Sequence, residues 1–207
     1  DVVCISSKDD YAKLLSILDN KKGYTDLNDR KEFAVNAFNT SSHYDTSIYN
    51  YFNTKNSNLK ISLKNPINLR YGENPHQKGS FYGNLNDYID QVNGKNISYN
   101  NLLDIDSAIN LISEFYEGPP SFGIFKHNNA CGFSVRDNLT LAYLDSLKAD
   151  PVSAFGGVLI SNKTIDIPTA IEINKLFCEV LIAPKYEQEA LEILKEKKNR
   201  IILIQKE

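Results

Sequence analysis

The sequence predicts an α/β layer fold, and three observations carry that expectation. Short apolar runs at 122–125, 158–161, 180–183 and 201–204 have the length and composition of buried strands. They alternate with stretches near 139–148, 168–177 and 186–198 that read as helical, the alternation expected of a sheet covered by helices. The composition is ordinary for a globular protein: 207 residues, 42% apolar and 24% charged, enough for one large core or two small ones. No repeat at a solenoid period is present.

Taken in order, residues 2–6 read as a short buried strand. Asp9 is then placed to cap a helix whose Tyr11, Leu14, Leu15 and Leu18 recur at helical spacing. From Leu27 to Phe52 the residues Ala34, Ala37, Phe38, Tyr44, Ile48 and Tyr51 keep a similar period, giving one long helix or one broken at Thr40-Ser41-Ser42. Residues 53–65 are polar and end before Pro66, so a connector and a domain boundary are expected there. Beyond it, 80–82 reads as extended, Asn93-Gly94-Lys95 as a turn, and 103–116 as an amphipathic helix stopped by Pro119-Pro120.

Composition also narrows function. A net charge of -3 with four arginines (Arg30, Arg70, Arg136, Arg200) argues against a duplex-binding face, so no nucleic-acid partner is expected. No apolar run approaches the roughly 18 residues of a membrane span, and the first residues lack a basic segment followed by an apolar one. A soluble, cytoplasmic protein without a membrane partner is expected. Cys4, Cys131 and Cys178 lie far apart with no CxxC, which favours neither disulfides nor a zinc knuckle, and no metal is expected. The chain has no methionine, even at position 1, so it reads as a piece of a longer protein.

Several segments could carry chemistry. Lys126-His127-Asn128-Asn129-Ala130-Cys131-Gly132 follows the strand at 122–125, and in open α/β sheets ligands gather at the carboxyl ends of strands. A neutral histidine can accept a proton, so His127 could act as a general base. Lys126 could stabilise a developing oxyanion or hold a phosphate, although a Lys-His pair can also simply decorate a loop. Arg70, in Arg70-Tyr71-Gly72-Glu73-Asn74-Pro75-His76-Gln77, offers a bidentate fork to an anion, or pairs with a structural carboxylate; His76 reads as structural. Gly156-Gly157 allows close approach of a heterocycle, or merely makes a tight turn. Asn100-Asn101 reads as a helix cap, and Glu179 as a carboxylate entering a buried strand that needs partners or a function. Cys131 reads as packing.

In this order, the segment 70–77, Gly94-Lys95 with Ser98-Tyr99-Asn100-Asn101, the segment 126–132, Asp150 through Gly157, and Glu179 through Pro184 resemble the bifunctional AICAR transformylase/IMP cyclohydrolase family of purine biosynthesis. The stretches from Asp29-Arg30 to Ala37-Phe38 and Tyr44-Asp45 resemble the end of its cyclohydrolase domain, so the likeness covers essentially the whole chain. The resemblance implies residues 1–62 as the tail of that small α/β domain. It implies 63–207 as the first half of the transformylase, a cytidine-deaminase-like layered sheet without the deaminase zinc. It further implies 10-formyltetrahydrofolate as cosubstrate, AICAR as substrate, and a homodimer with sites between subunits. By the same resemblance Lys126 and His127 are catalytic, Arg70 and Tyr71 contact the phosphate and ring, and Asn101, Gly156 and Glu179 bind substrate. The family usually has proline where Ala130 stands, which removes a φ restraint from the loop. The competing expectation is a non-catalytic ribotide-binding or dimerisation fragment.

Overall fold

The computed structural model describes residues 2–55 and 58–206. It divides into two compact units, Asp1–Asn65 and Pro66–Glu207. Asn56 and Ser57, within the expected connector, lie outside the described residues.

The first unit is built on two helices, α1 (Tyr11–Asn20) and α2 (Leu27–Phe52). The expected strand at 2–6 does not form: among the described residues no strand pairs with it, and its backbone therefore lacks ladder hydrogen bonds. Asp9 does not cap α1 either. It lies inside a single 3-10 turn, Lys8–Asp10, whose cap is Ser7, its hydroxyl accepting from the Asp9 amide at 3.2 Å. α2 is unbroken, and Ser41 and Ser42 turn their hydroxyls back onto carbonyls of the preceding turn within it. Its start is fixed by a capping box between Asp26 and Asp29.

The second unit opens with a two-stranded ladder, β1 (Ile67–Asn68) and β2 (Ser80–Phe81), and then builds a six-stranded mixed sheet. Its strands are β3 (Ile89–Asn93), β4 (Ser121–Lys126), β5 (Asn129–Val135), β6 (Val158–Ser161), β7 (Val180–Ala183) and β8 (Ile201–Gln205), in the order β3-β8-β7-β6-β4-β5. β6, β7 and β8 are mutually parallel, while β3, β4 and β5 pair antiparallel to their neighbours. The helices are α3 (Tyr99–Ser113), α4 (Leu139–Ala149), α5 (Ile167–Asn174) and α6 (Gln188–Lys195).

Alternation along the strands divides the core. Phe122, Ile124, Leu159, Leu181 and Ile202 face one layer with Tyr143 of α4, Ile173 of α5 and Leu194 of α6. Phe125, Val158, Ile160, Val180, Ile182 and Leu203 face the other with Ile105, Ala108 and Ile112 of α3. The α/β layers expected from the sequence are therefore present, with runs apolar on both faces because both faces are covered.

Two elements differ from expectation in extent. α3 begins at Tyr99 rather than Leu103, because Ser98 is the cap and Asn101 closes its capping box from inside the helix. The segment after Lys126 is a hairpin turn rather than a long loop: Asn129–Val135 returns antiparallel along β4, with a bulge at Cys131.

Candidate functional site

Pairing of Phe125 with Val158, Val158 with Val180, and Val180 with Ile201 brings the carboxyl end of β4 level with the amino ends of β6, β7 and β8. Asn93, at the end of β3, pairs at the same level. Lys126 thus sits at a strand's carboxyl end, as its position after 122–125 implies. The carboxyl ends of the three parallel strands lie at the opposite edge, so the rule for open parallel sheets does not describe this mixed one.

One cluster forms around Glu179. Backbone bonds from the Arg70 amide to the Ile97 carbonyl (3.1 Å) and from the Tyr99 amide to the Tyr71 carbonyl (3.2 Å) lay the Arg70 segment beside the start of α3. There Asn101, buried in the first turn, accepts from the Ser98 amide and hydroxyl and donates its Nδ2 to Glu179 Oε2 at 2.9 Å. Lys95, delivered by the turn after β3, donates to Glu179 Oε1 at 3.1 Å. Gly94 makes that turn possible: its φ is +99°, and a Cβ there would stand 2.3 Å from the Arg200 carbonyl. Burial alone would raise the Glu179 carboxyl, but the Asn101 and Lys95 hydrogen bonds and the charges of Lys95 and Arg70 outweigh it and hold it below its ordinary value. Glu179 thus has the partners that a carboxylate at the mouth of a buried strand requires.

Arg70 is half-buried, its guanidinium 4.7 Å from the Tyr71 ring centre, with Nη2 donating to the Tyr71 hydroxyl at 3.1 Å. Its Nε is buried with no protein acceptor. A half-buried cation with an unused donor is suited to an anionic ligand.

The second group surrounds the end of β4. Lys126 Nζ donates to the Phe155 carbonyl at 2.6 Å, and the exposed His127 begins the hairpin turn. Gly156 has φ +73° and donates its amide to the Phe177 carbonyl at 2.8 Å; the Glu179 amide donates to the Gly157 carbonyl at 3.0 Å. These bonds stitch the Lys126 end, the Gly156 loop and the Glu179 segment into one rim. Cys131 Sγ contacts the Ile124 carbonyl at 3.4 Å, and burial pushes its thiol up, which suits packing rather than nucleophilic attack. Among the described residues no group of three or more His, Cys, Asp or Glu is placed to hold a metal ion, and no helix is long and apolar enough to cross a membrane.

The structure therefore brings Arg70, Tyr71, Asn101 and Glu179 together, with Lys126, His127 and Gly156 on the adjoining rim. Lys95 and Asp104 also reach this edge. The sequence marks Lys95 as part of a turn and of the Gly94-Lys95 motif, and Asp104 is one of two acidic residues on α3; only the tertiary fold shows what each meets.

One edge of the α/β sheet thus gathers a half-buried arginine, a charge-paired carboxylate and a Lys-His pair, the kinds of group that hold anions and move protons in small-molecule enzymes. The chain belongs to the AICARFT/IMPCHase bienzyme family, whose family model matches residues 1–207. It is 53% identical to the bifunctional purine biosynthesis protein PurH of Bacteroides thetaiotaomicron, covering 100% of this chain and 41% of that protein. It is 41% identical to PurH of Thermoanaerobacter sp. (93% of this chain, 40% of that protein) and 39% identical to PurH of Clostridium kluyveri (98% and 42%). The chain thus spans about two-fifths of the length of these curated relatives.

Proposed function

We propose that this chain carries part of a folate-dependent formyltransferase site of de novo purine biosynthesis. The reaction moves the formyl group of 10-formyltetrahydrofolate to the 5-amino group of AICAR, and the intact enzyme closes the product to IMP. The observation that carries this reading is the shared rim of Lys126-His127 and the Arg70–Glu179 cluster, in a chain of the AICARFT/IMPCHase family. On this reading residues 63–207 are the first half of the transformylase and 1–62 the tail of the cyclohydrolase domain. The protein acts in the cytoplasm.

The amine nitrogen attacks the formyl carbon while His127 takes the amine proton; Lys126 stabilises the tetrahedral oxyanion. Collapse breaks the bond to the folate nitrogen, which leaves with the proton that His127 returns to it. Arg70 holds the ribotide phosphate beside Tyr71, while Asn101, Gly156 and Glu179 bind the substrate. A general base contributes about a hundredfold or more, so His127→Ala in the full-length gene product is expected to slow formyl transfer by at least that factor. A rate within a few-fold of the parent excludes His127 as the base.

The two-fifths span favours a second reading for this stretch by itself, a non-catalytic module that binds ribotide or supports dimerisation. Calorimetric titration with AICAR beside a formyl-transfer assay separates the readings. Binding without turnover supports the module; turnover excludes it.

A further inference from the structure

The turn that carries His127 has an unusual demand. Lys126 pairs with Asn129, so His127 and Asn128 alone connect β4 to β5, and both have positive φ, 54° and 63°. Two residues with positive φ make a type I′ hairpin turn, the kind normally assigned to Asn-Gly. A histidine at its first position occupies the left-handed region, which a side chain with a Cβ disfavours. Something must hold that geometry.

The ladder does not. In a two-residue hairpin the peptide group between the central residues lies outside the strand pairing, and its N–H and C=O point away from the ladder. Here both ends of that one peptide group are taken. The Asn128 amide donates to Asp104 Oδ1 at 2.7 Å, and the His127 carbonyl accepts from Asn129 Nδ2 at 2.9 Å. Asp104 stands on α3, which is anchored to the sheet by its neighbours Ile105, Ala108 and Ile112. Rotating the central peptide group would turn I′ into II′, which places its first central residue in a conformation reserved for glycine; His127 cannot rest there, so loss of the hold on that peptide group frees the turn, and the imidazole with it, to leave the I′ geometry.

We infer that Asp104 is a positioning residue for His127: its carboxylate fixes the central peptide group of the hairpin turn, and so the direction of the imidazole, without touching the substrate. The inference rests on the reading of His127 as the base.

The test uses the full-length gene product and four variants: Asp104→Ala, Asp104→Asn, His127→Ala and the double variant Asp104→Ala/His127→Ala. A misaimed catalytic group lowers turnover rather than ground-state binding, so Asp104→Ala is expected to reduce kcat for formyl transfer about tenfold to a hundredfold, with KM for AICAR changing less than about threefold. Asp104→Asn keeps an oxygen acceptor for the Asn128 amide and is expected to restore kcat to within about fivefold of the parent. Because Asp104 acts through His127, adding Asp104→Ala to His127→Ala is expected to produce little further loss. Three results overturn the inference: unchanged kcat in Asp104→Ala, an Asn variant as slow as the Ala variant, or full additivity in the double variant. A silent His127→Ala overturns the general-base reading instead, so the two failures are distinguishable.

Discussion

Arg70 is half-buried and carries a buried, unused donor. Its Nη2 is engaged by Tyr71, yet Nε has no protein acceptor. Hydrogen bonds to charged groups contribute roughly 1.5–3 kcal/mol, so Arg70→Ala is expected to weaken AICAR binding about tenfold to a hundredfold, read by calorimetry. The unphosphorylated riboside is the control; equal weakening of riboside and ribotide would assign Arg70 to the base and sugar or to structure. Glu179 makes a prediction in pH. Its carboxyl is lowered on folding from an ordinary 4.5, burial opposing and the Asn101 and Lys95 contacts prevailing. A lowered carboxyl adds stability that is fully present above its unfolded-state value and is lost as pH falls through the native one. The difference in urea midpoint between the parent and Glu179→Gln is therefore expected to be full at pH 7 and to close below about pH 4. A difference that persists unchanged into acid would show that the ion pair is not its source.

At the scale of elements, the glycine that ends the Lys126–Gly132 segment answers to packing. A Cβ on Gly132 would stand 2.0 Å from the Ser146 carbonyl, so β5 lies against the backbone of α4. Gly132→Ala is expected to destabilise the second unit by about 1–3 kcal/mol, measured by urea unfolding; an unchanged midpoint would mean that α4 can withdraw freely. The elements also show what a sequence reveals. β6 and β7 coincide with the runs 158–161 and 180–183, because strands covered on both faces must be apolar throughout. β5 was not legible: it is an edge strand that starts with exposed Asn129 and Ala130 and bulges at Cys131, so neither a continuous apolar run nor clean alternation marks it. The candidate site divides similarly. Lys126, His127 and Arg70 stand out as scarce or chemically distinctive residues in short motifs, whereas Lys95, which meets Glu179 across 84 positions, and Asp104, which meets Asn128 across 24, gain their meaning only from folding.

At the scale of the molecule, the two units differ in how much they bury. The second holds two hydrophobic clusters across its sheet, while among the described residues of the first only Phe33 is a buried hydrophobic, and Phe38, Tyr44, Tyr51 and Phe52 are exposed. The proposed function carries with it a homodimer, and exposed apolar surface of this extent is consistent with further burial by association. Light scattering of the full-length gene product is expected to give twice the chain mass; a monomer would remove the dimer from the proposal. The strand order has another consequence, in time rather than in space. β3 has β8 as its neighbour in the six-stranded sheet, and Asn93 bonds to the Arg200 carbonyl 107 positions later. A ribosome adding about 5–20 residues per second leaves β3 waiting roughly 5–20 seconds for that neighbour to be synthesised. Lys95 lies two residues after the end of β3, and Glu179 directly precedes the strand that pairs with β8. During synthesis, therefore, the hairpin bearing His127 can close early, whereas the charge-paired rim around Glu179 is completed only as β8 joins the sheet.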